Sequence, residues 1–239
     1  MVEPIVRDSV VDALERRLRE DIVSGRYPAG AYLPPERDLA AGYGVTRTSL
    51  KHAFVRLEQA GLVETRHGVG TRVKDYERLG GADLLPLLVL SDWAAWADEV
   101  FQVRRTIGAV ITALAAEHAT EEHRAHLRAL LIEVRGAPDA AAAQLAECEV
   151  HRVLAAATGN RVYVFLANSL LNAYLPVRAF LQAPFVDPVA AAERLAPLVE
   201  AVCSGDPAAA HAAADAYLAE TERLMLGRTE GERHDHQLP

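Results

Sequence analysis

The chain has 239 residues, 51% of them hydrophobic, enough for one large packed domain or two small ones and too many for a disordered polymer. Its longest apolar runs, such as 84–90, are interrupted by Pro86 and fall well short of the ~20 residues needed to cross a bilayer, so no membrane span is expected. The formal charge of −8 is uneven: residues 1–76 carry +1, residues 77–239 carry −9, and seven basic against three acidic side chains put +4 into 37–74. Such a patch can meet phosphates even on an acidic protein, although a merely solvated face would look the same. The opening MVEPIVRDSV lacks the basic stretch, apolar run and small-residue cleavage site of a secretory signal. Cys148 and Cys203 sit in helix-like apolar patterns, as reduced buried thiols would, and a cytoplasmic location follows.

Val10, Val11, Leu14, Leu18 and Ile22 form an apolar stripe at helical spacing, with Ser9 as its N-cap and Gly25 as its stop. After the Tyr27-Pro28-Ala29-Gly30 loop, Leu33-Pro34-Pro35-Glu36 opens a short second helix, because proline is tolerated in a first turn. The Gly42-Tyr43-Gly44-Val45 turn leads to Thr46, a cap for a third helix whose apolar face is Leu50, Ala53, Phe54, Leu57 and Ala60, stopped by Gly61. Two helices joined so tightly make a helix-turn-helix. Residues 62–66 and 71–74 have strand character, and His67-Gly68-Val69-Gly70 supplies the hairpin turn of a wing.

Gly80-Gly81 marks a linker over 77–82, and helical patterns then follow near 83–90, 92–118, 121–135, 139–157, 161–182, 188–203 and 207–226. The fold class is therefore mainly α: an N-terminal winged helix-turn-helix over 1–76, an all-α helical bundle over 83–226, and a polar tail over 227–239 that reads as disordered.

The exposed start of the second helix of such a motif meets base edges in the major groove, while groups around it bind phosphates. Here that start offers Thr46, Arg47, Thr48, Ser49 and Lys51. Arg47 has the planar fork that fits guanine O6 and N7; the hydroxyls and Lys51 suit phosphates or less directional contacts. Arg37 begins the preceding helix and reaches toward a neighbouring base or phosphate.

At this point the stretch LPPERDLAAGYGVTRTSLKHAFVRLEQAGLVETRHGVGTRV, Leu33 to Val73, resembles the winged domain of the GntR regulator family from end to end, with Pro35 where that family more often has Ser. The resemblance implies DNA contacts at Arg37, Thr46, Arg47, Thr48, Lys51 and the wing-tip His67 and Gly68. It also implies a homodimer reading successive turns of a palindromic operator in double-stranded DNA. Without it, His67 reads equally as an ordinary exposed turn residue.

CEVHRVLAAATGN, Cys148 to Asn160, is similar to the ligand domain of the FadR subgroup, many of whose members hold a divalent metal through an Asp, a His four residues later and two further histidines. The matching positions here are Glu147, His151, Arg194 and Tyr217. A guanidinium is cationic and has no acceptor, so no metal is expected; Arg194 would instead pair with Glu147 or with a ligand's carboxylate. Residues 80–88 and 150–180 look more like the fatty-acid-responsive members, which lack the metal and take an acyl-CoA. That resemblance implies effector contacts at Arg104, Arg105, Tyr174, Tyr217 and Thr221, and acyl-linked control of DNA binding as a repressor of fatty-acid metabolism. Met225 and Leu181 replace aromatic residues expected there. A second reading has a small carboxylate held by Arg104, Arg194 and His151. Each tyrosine could equally be a core ring with a satisfied hydroxyl.

No Ser-His-Asp order, zinc-spaced Cys/His set or phosphate-binding glycine loop is recognisable, so neither an enzyme nor a cofactor is expected; the pair Glu147 and His151 is the best hydrolytic candidate. A pure protein-interaction scaffold would lack the salt-dependent DNA affinity that phosphate neutralisation requires.

Overall fold

A computed structural model describes residues 10–227; Ser9, read above as a cap, and the tail from 228 onward lie outside the described residues. Two compact units divide after Asp92 and are described separately.

In the first unit α1 (Val10–Val23) buries Leu14, Leu18 and Ile22 of the expected stripe, leaving Val11 half-buried and Val10 exposed, and packs on α3 (Arg47–Gln59). The short α2 (Glu36–Gly42) starts behind Pro35, which supplies no side-chain cap; its carbonyl instead accepts from Asp38 and Leu39 N–H at 2.8 and 3.0 Å. Gly44, at φ +67°, turns the chain into α3, and Thr46 caps that helix by accepting from Ser49 N–H at 3.1 Å. Asp21 ties α1 to this turn: its carboxylate takes the Tyr43 hydroxyl at 2.5 Å and Arg26 at 3.0 Å. The wing pairs β1 (Val63–Arg66) with β2 (Gly70–Val73) antiparallel, Val63 opposite Val73 and Arg66 opposite Gly70. Residues 30–33, read from sequence as loop, pair along β2: Leu33 N–H donates to Thr71 O at 2.8 Å and Val73 N–H to Ala31 O at 2.8 Å.

The expected linker holds α4 (Tyr76–Leu79), capped by Asp75, and a 3-10 turn at Ala82–Leu84 that runs into α5 (Leu85–Ser91). That last helix packs on α1 and buries Leu88 and Val89, which is why the division falls after Asp92 and not within 77–82.

The second unit is wholly helical among its described residues. It contains α6 (Trp93–His118), α7 (Glu121–Arg135), α8 (Ala140–Ala157), α9 (Arg161–Tyr174), α10 (Pro188–Ser204) and α11 (Pro207–Met225). Thr120, Asp139, Asn160, Asp187 and Asp206 cap the last five in turn. The most extensive pairing is α6 with α11, and the Leu218 side chain seats against Gly108, where a Cβ would lie 2.6 Å from its Cδ1. The helix expected over 161–182 stops at Tyr174. Pro176 has no N–H to continue the ladder, and two 3-10 turns, Arg178–Phe180 and Ala183–Phe185, follow. Both cysteines are free thiols; Cys148 is buried as expected, with burial raising its pKa to about 12, but Cys203 is only half-buried. No helix among the described residues is long and apolar enough to cross a membrane.

Candidate nucleic-acid interface and effector cavity

Between α3 and the wing runs a concave face onto which Arg37, Arg47, Lys51, Arg66, His67 and Gly68 all open. The helix cap aims the first turn of α3 outward, leaving the side chains of Arg47 and Lys51 64% and 62% exposed. Thr48 is exposed beside them, while the Thr46 oxygen is occupied by the cap and shared with Ser49 Oγ at 2.9 Å. The tip residue Gly68 holds φ +77°, a conformation that favours glycine, and lifts exposed His67 to the end of the hairpin. Of the seven basic residues counted in 37–74, Arg56 is turned away onto Asp12 and Glu15 of α1, and Arg72 donates to Gly30 O at 2.8 Å. One acidic residue enters the face unforeseen: Glu36 lies 3.5 Å from Arg47 and 4.0 Å from Lys51. Glu58 is spent on the wing backbone, accepting from Thr65 N–H at 3.1 Å.

In the helical unit a cavity of about 60 Å³ lies between α6, α8, α9 and α11. At about 10–15 Å³ per water, that is room for a few waters. Its walls are apolar, from Trp93, Phe101, Ile107, Ile111, Leu171 and Leu218, and its polar end is Arg104, Glu147, His151 and Tyr174. Glu147 is the hub. Its Oε1 accepts from His151 Nε2 at 2.8 Å, from the Tyr217 hydroxyl at 3.0 Å and from Arg104 at 3.4 Å. Burial by itself would raise this carboxyl's pKa, but His151, Arg104 and the Tyr217 bond outweigh it and hold the group ionised below the usual range. Arg104 also donates to Thr221 Oγ1 at 3.2 Å, so one guanidinium links α6, α8 and α11.

Of the expected effector residues, Arg104, His151 and Tyr174 line the cavity. Tyr217 and Thr221 stand behind it, buried, one bonded to Glu147 and the other to Arg104. Arg105 faces away: successive helix residues point about 100° apart, and its fork is closed on Asp215 at 2.6 and 2.7 Å. Arg194 does not line the cavity either; it donates to the Pro184 carbonyl, bracing the turn that Pro176 and Pro184 force after α9. Sequence reasoning passed over Gln144 and gave Glu147 no effector role. The signal was present as a polar stripe at 144, 147 and 151 on one face of an alanine-rich buried helix.

The metal of the FadR subgroup does not fit here. Glu147 and His151 are two donors with a cation at 3.4 Å from the carboxylate, and no cluster of three or more His, Cys, Asp or Glu suited to a metal occurs among the described residues.

The family described as bacterial regulatory proteins, gntR family, matches residues 11–73, and the FCD domain matches residues 99–220. The chain belongs to the GntR family. It is a transcription regulator with an operator-binding winged domain and an effector-binding FCD domain, of the FadR-like kind. An uncharacterized HTH-type transcriptional regulator of Mycobacterium tuberculosis is 37% identical over 227 residues, 91% of this chain and 94% of its own. HTH-type transcriptional regulator Mce2R of the same species is 30% identical over 220 residues, 91% of this chain and 92% of its own. The fatty acid metabolism regulator protein of Pectobacterium carotovorum is 32% identical over 168 residues, 68% of each chain. Among solved structures, Lar, which controls the expression of the Listeria monocytogenes agr system, shares the fold with a TM-score of 0.57 over 92% of this chain and 97% of its own, at 16% identity.

Proposed function

We propose that this protein is a cytoplasmic homodimeric repressor that reads a palindromic operator through Arg37, Arg47, Thr48, Lys51 and the wing tip, and that a fatty acyl-CoA entering the bundle weakens its hold on DNA. The observation that carries the acyl part is the cavity itself, apolar along its walls and polar only at the end built from Arg104, Glu147, His151 and Tyr174. An acyl chain gains by leaving water for such walls, about 0.8 kcal/mol per buried CH2, while its carbonyl needs the polar end. Relatives named fatty acid metabolism regulator support the same reading. At about 60 Å³ the cavity must widen for a long chain, and that width supports the alternative of a small carboxylate held by Arg104 and His151.

Ligand and operator binding are reciprocally coupled in this scheme, each weakening the other by the same factor. Fluorescence anisotropy of a labelled palindromic operator, titrated with protein in the presence and absence of long-chain acyl-CoA, tests it. Affinity should fall with ligand; unchanged affinity at saturating acyl-CoA rejects the effector. A thermal-shift series of acyl-CoAs against small carboxylates separates the two ligand classes, because a compound bound only by the folded state raises apparent stability.

A further inference from the structure

The cleft between α3 and the wing is charged on both sides but not throughout. Arg47 and Lys51 stand on α3, and Arg66 and His67 on the hairpin. Uncharged residues share its lining: Tyr32, Pro34 and Pro35 from the segment that runs beside β2, Val55 from α3 and Val69 from the hairpin turn. The shape of a duplex accounts for both kinds of lining. The major groove of B-DNA, about 12 Å wide, admits a helix, and its edge is a sugar-phosphate strand beyond which the minor groove begins. A protein that seats the first turn of α3 in the major groove therefore takes that strand into the cleft, between helix and hairpin. The strand is anionic at each phosphate and largely apolar at each deoxyribose, which suits flanking cations together with the exposed Val55 and Val69.

Tyr32 is held in this cleft by the sheet. Its backbone bridges to Arg72 of β2, and its ring rests beside Gly70, where a Cβ would lie 3.7 Å from Tyr32 Cδ1. The residue is nevertheless 55% exposed, and its hydroxyl has no hydrogen-bond partner among the described residues. Its chain neighbours offer little to an anion: the Leu33 N–H is spent on Thr71 O at 2.8 Å, and Pro34 and Pro35 have no N–H. On this stretch of the lining the side-chain donor is the Tyr32 hydroxyl. A neutral hydroxyl can hold a phosphate oxygen as a lysine does, but it neutralises no charge and so releases no counterion.

We infer that Tyr32 donates its hydroxyl to a backbone phosphate of bound DNA, an uncharged anchor for the strand that passes between α3 and the wing, adding affinity without adding salt dependence. This rests on the operator-binding reading above and adds a contact of a different physical kind to its basic residues.

The probe is a labelled duplex enriched by the full-length protein from a random-sequence pool. Anisotropy titrations over a range of salt concentrations give both the affinity and its slope against salt. Tyr32→Phe keeps the ring beside Gly70, so melting should not change. Affinity should fall about tenfold at every salt concentration, the order expected for one hydrogen bond to a charged group, with the slope unchanged. Tyr32→Lys puts a cation in the same place and should steepen the slope by about one.

Unchanged affinity in Tyr32→Phe overturns the inference and leaves DNA binding itself standing, because a ring that only packs on β2 would not miss its hydroxyl. A loss accompanied by a shallower slope also overturns it, since charged contacts would then have been displaced. An unchanged slope in a folded Tyr32→Lys protein means that no phosphate lies there, and this arm decides if Tyr32→Phe fails to fold. Failure of the unaltered protein to enrich any duplex rejects operator binding, and the inference with it.

Discussion

The winged unit and the helical unit place their functional side chains in opposite ways. Arg37, Arg47, Lys51 and His67 are held out into solvent by local devices, a helix cap at Thr46 and a left-handed Gly68, and their partners are weak and exchangeable. Arg104, Glu147 and His151 are instead locked by one another and by Tyr217 and Thr221 across α6, α8 and α11, while Tyr174 of α9 meets Gln144 of α8. A surface that must displace water and counterions to grip a polyanion keeps its charges free, whereas charges buried beside an apolar cavity must be paired to be held there. Substitutions in the first unit should therefore separate binding from stability, and substitutions in the second should mix them.

The largest expected effect is on DNA. Arg47→Ala should cost about 1–3 kcal/mol of operator discrimination in each half-site, with the melting temperature unchanged because the side chain contributes only a long ion pair to the fold. Anisotropy on operator and scrambled duplexes reads this, and full discrimination in the variant would remove Arg47 from base recognition. Asp21→Ala breaks the contrast from the other side. It leaves the Tyr43 hydroxyl at the helix-turn-helix turn without its acceptor and removes the ion-pair partner of the exposed Arg26, so about 2 kcal/mol of stability should be lost in urea melts, and DNA affinity should fall only as folding does.

Next comes pH. The Glu147 carboxyl has its pKa lowered in the folded state, so its contribution is fully present above the unfolded value and disappears as pH falls through the folded one. Stability should drop as the solution is taken from about pH 5 downward, and Glu147→Gln, less stable at neutral pH, should show a shallower acid limb in melts across that window. A smaller effect sharpens the local character of the DNA face: Thr46→Ala should cost about 1 kcal/mol through the lost cap, whereas Thr48→Ala should be neutral in melts. The smallest is Arg105→Ala. Its ion pair with Asp215 is 45% and 42% exposed, and a loss below about 1 kcal/mol with unchanged ligand affinity is expected.

Most of the first unit was legible because its signals are local. Periodicity, the cap three residues from its donor, and glycines at turns that need positive φ lie within a few positions of what they control. What escaped there was tertiary: the pairing of residues 30–33 along β2, the retreat of Arg56 to α1, and the carboxylate of Glu36 among the basic side chains. In the second unit the helices were readable from their caps and stops, but Pro176 was overlooked, and with it the end of α9 at Tyr174.

Sequence alone thus determined the helix-turn-helix, the wing, the helical character of residues 93–225 and the family resemblance. Tertiary structure decided which arginine counts. Neighbours Arg104 and Arg105 look equivalent in a string of letters, yet the rotation of α6 gives one to Glu147, 43 positions away, and the other to Asp215, 110 positions away. Arg194, aligned with a ligand position, is claimed by Pro184 O. Helix propensity is a near-neighbour property, but the direction a helix face points is set by everything packed against it. For that reason the chemistry of the cavity emerged only from the assembled bundle.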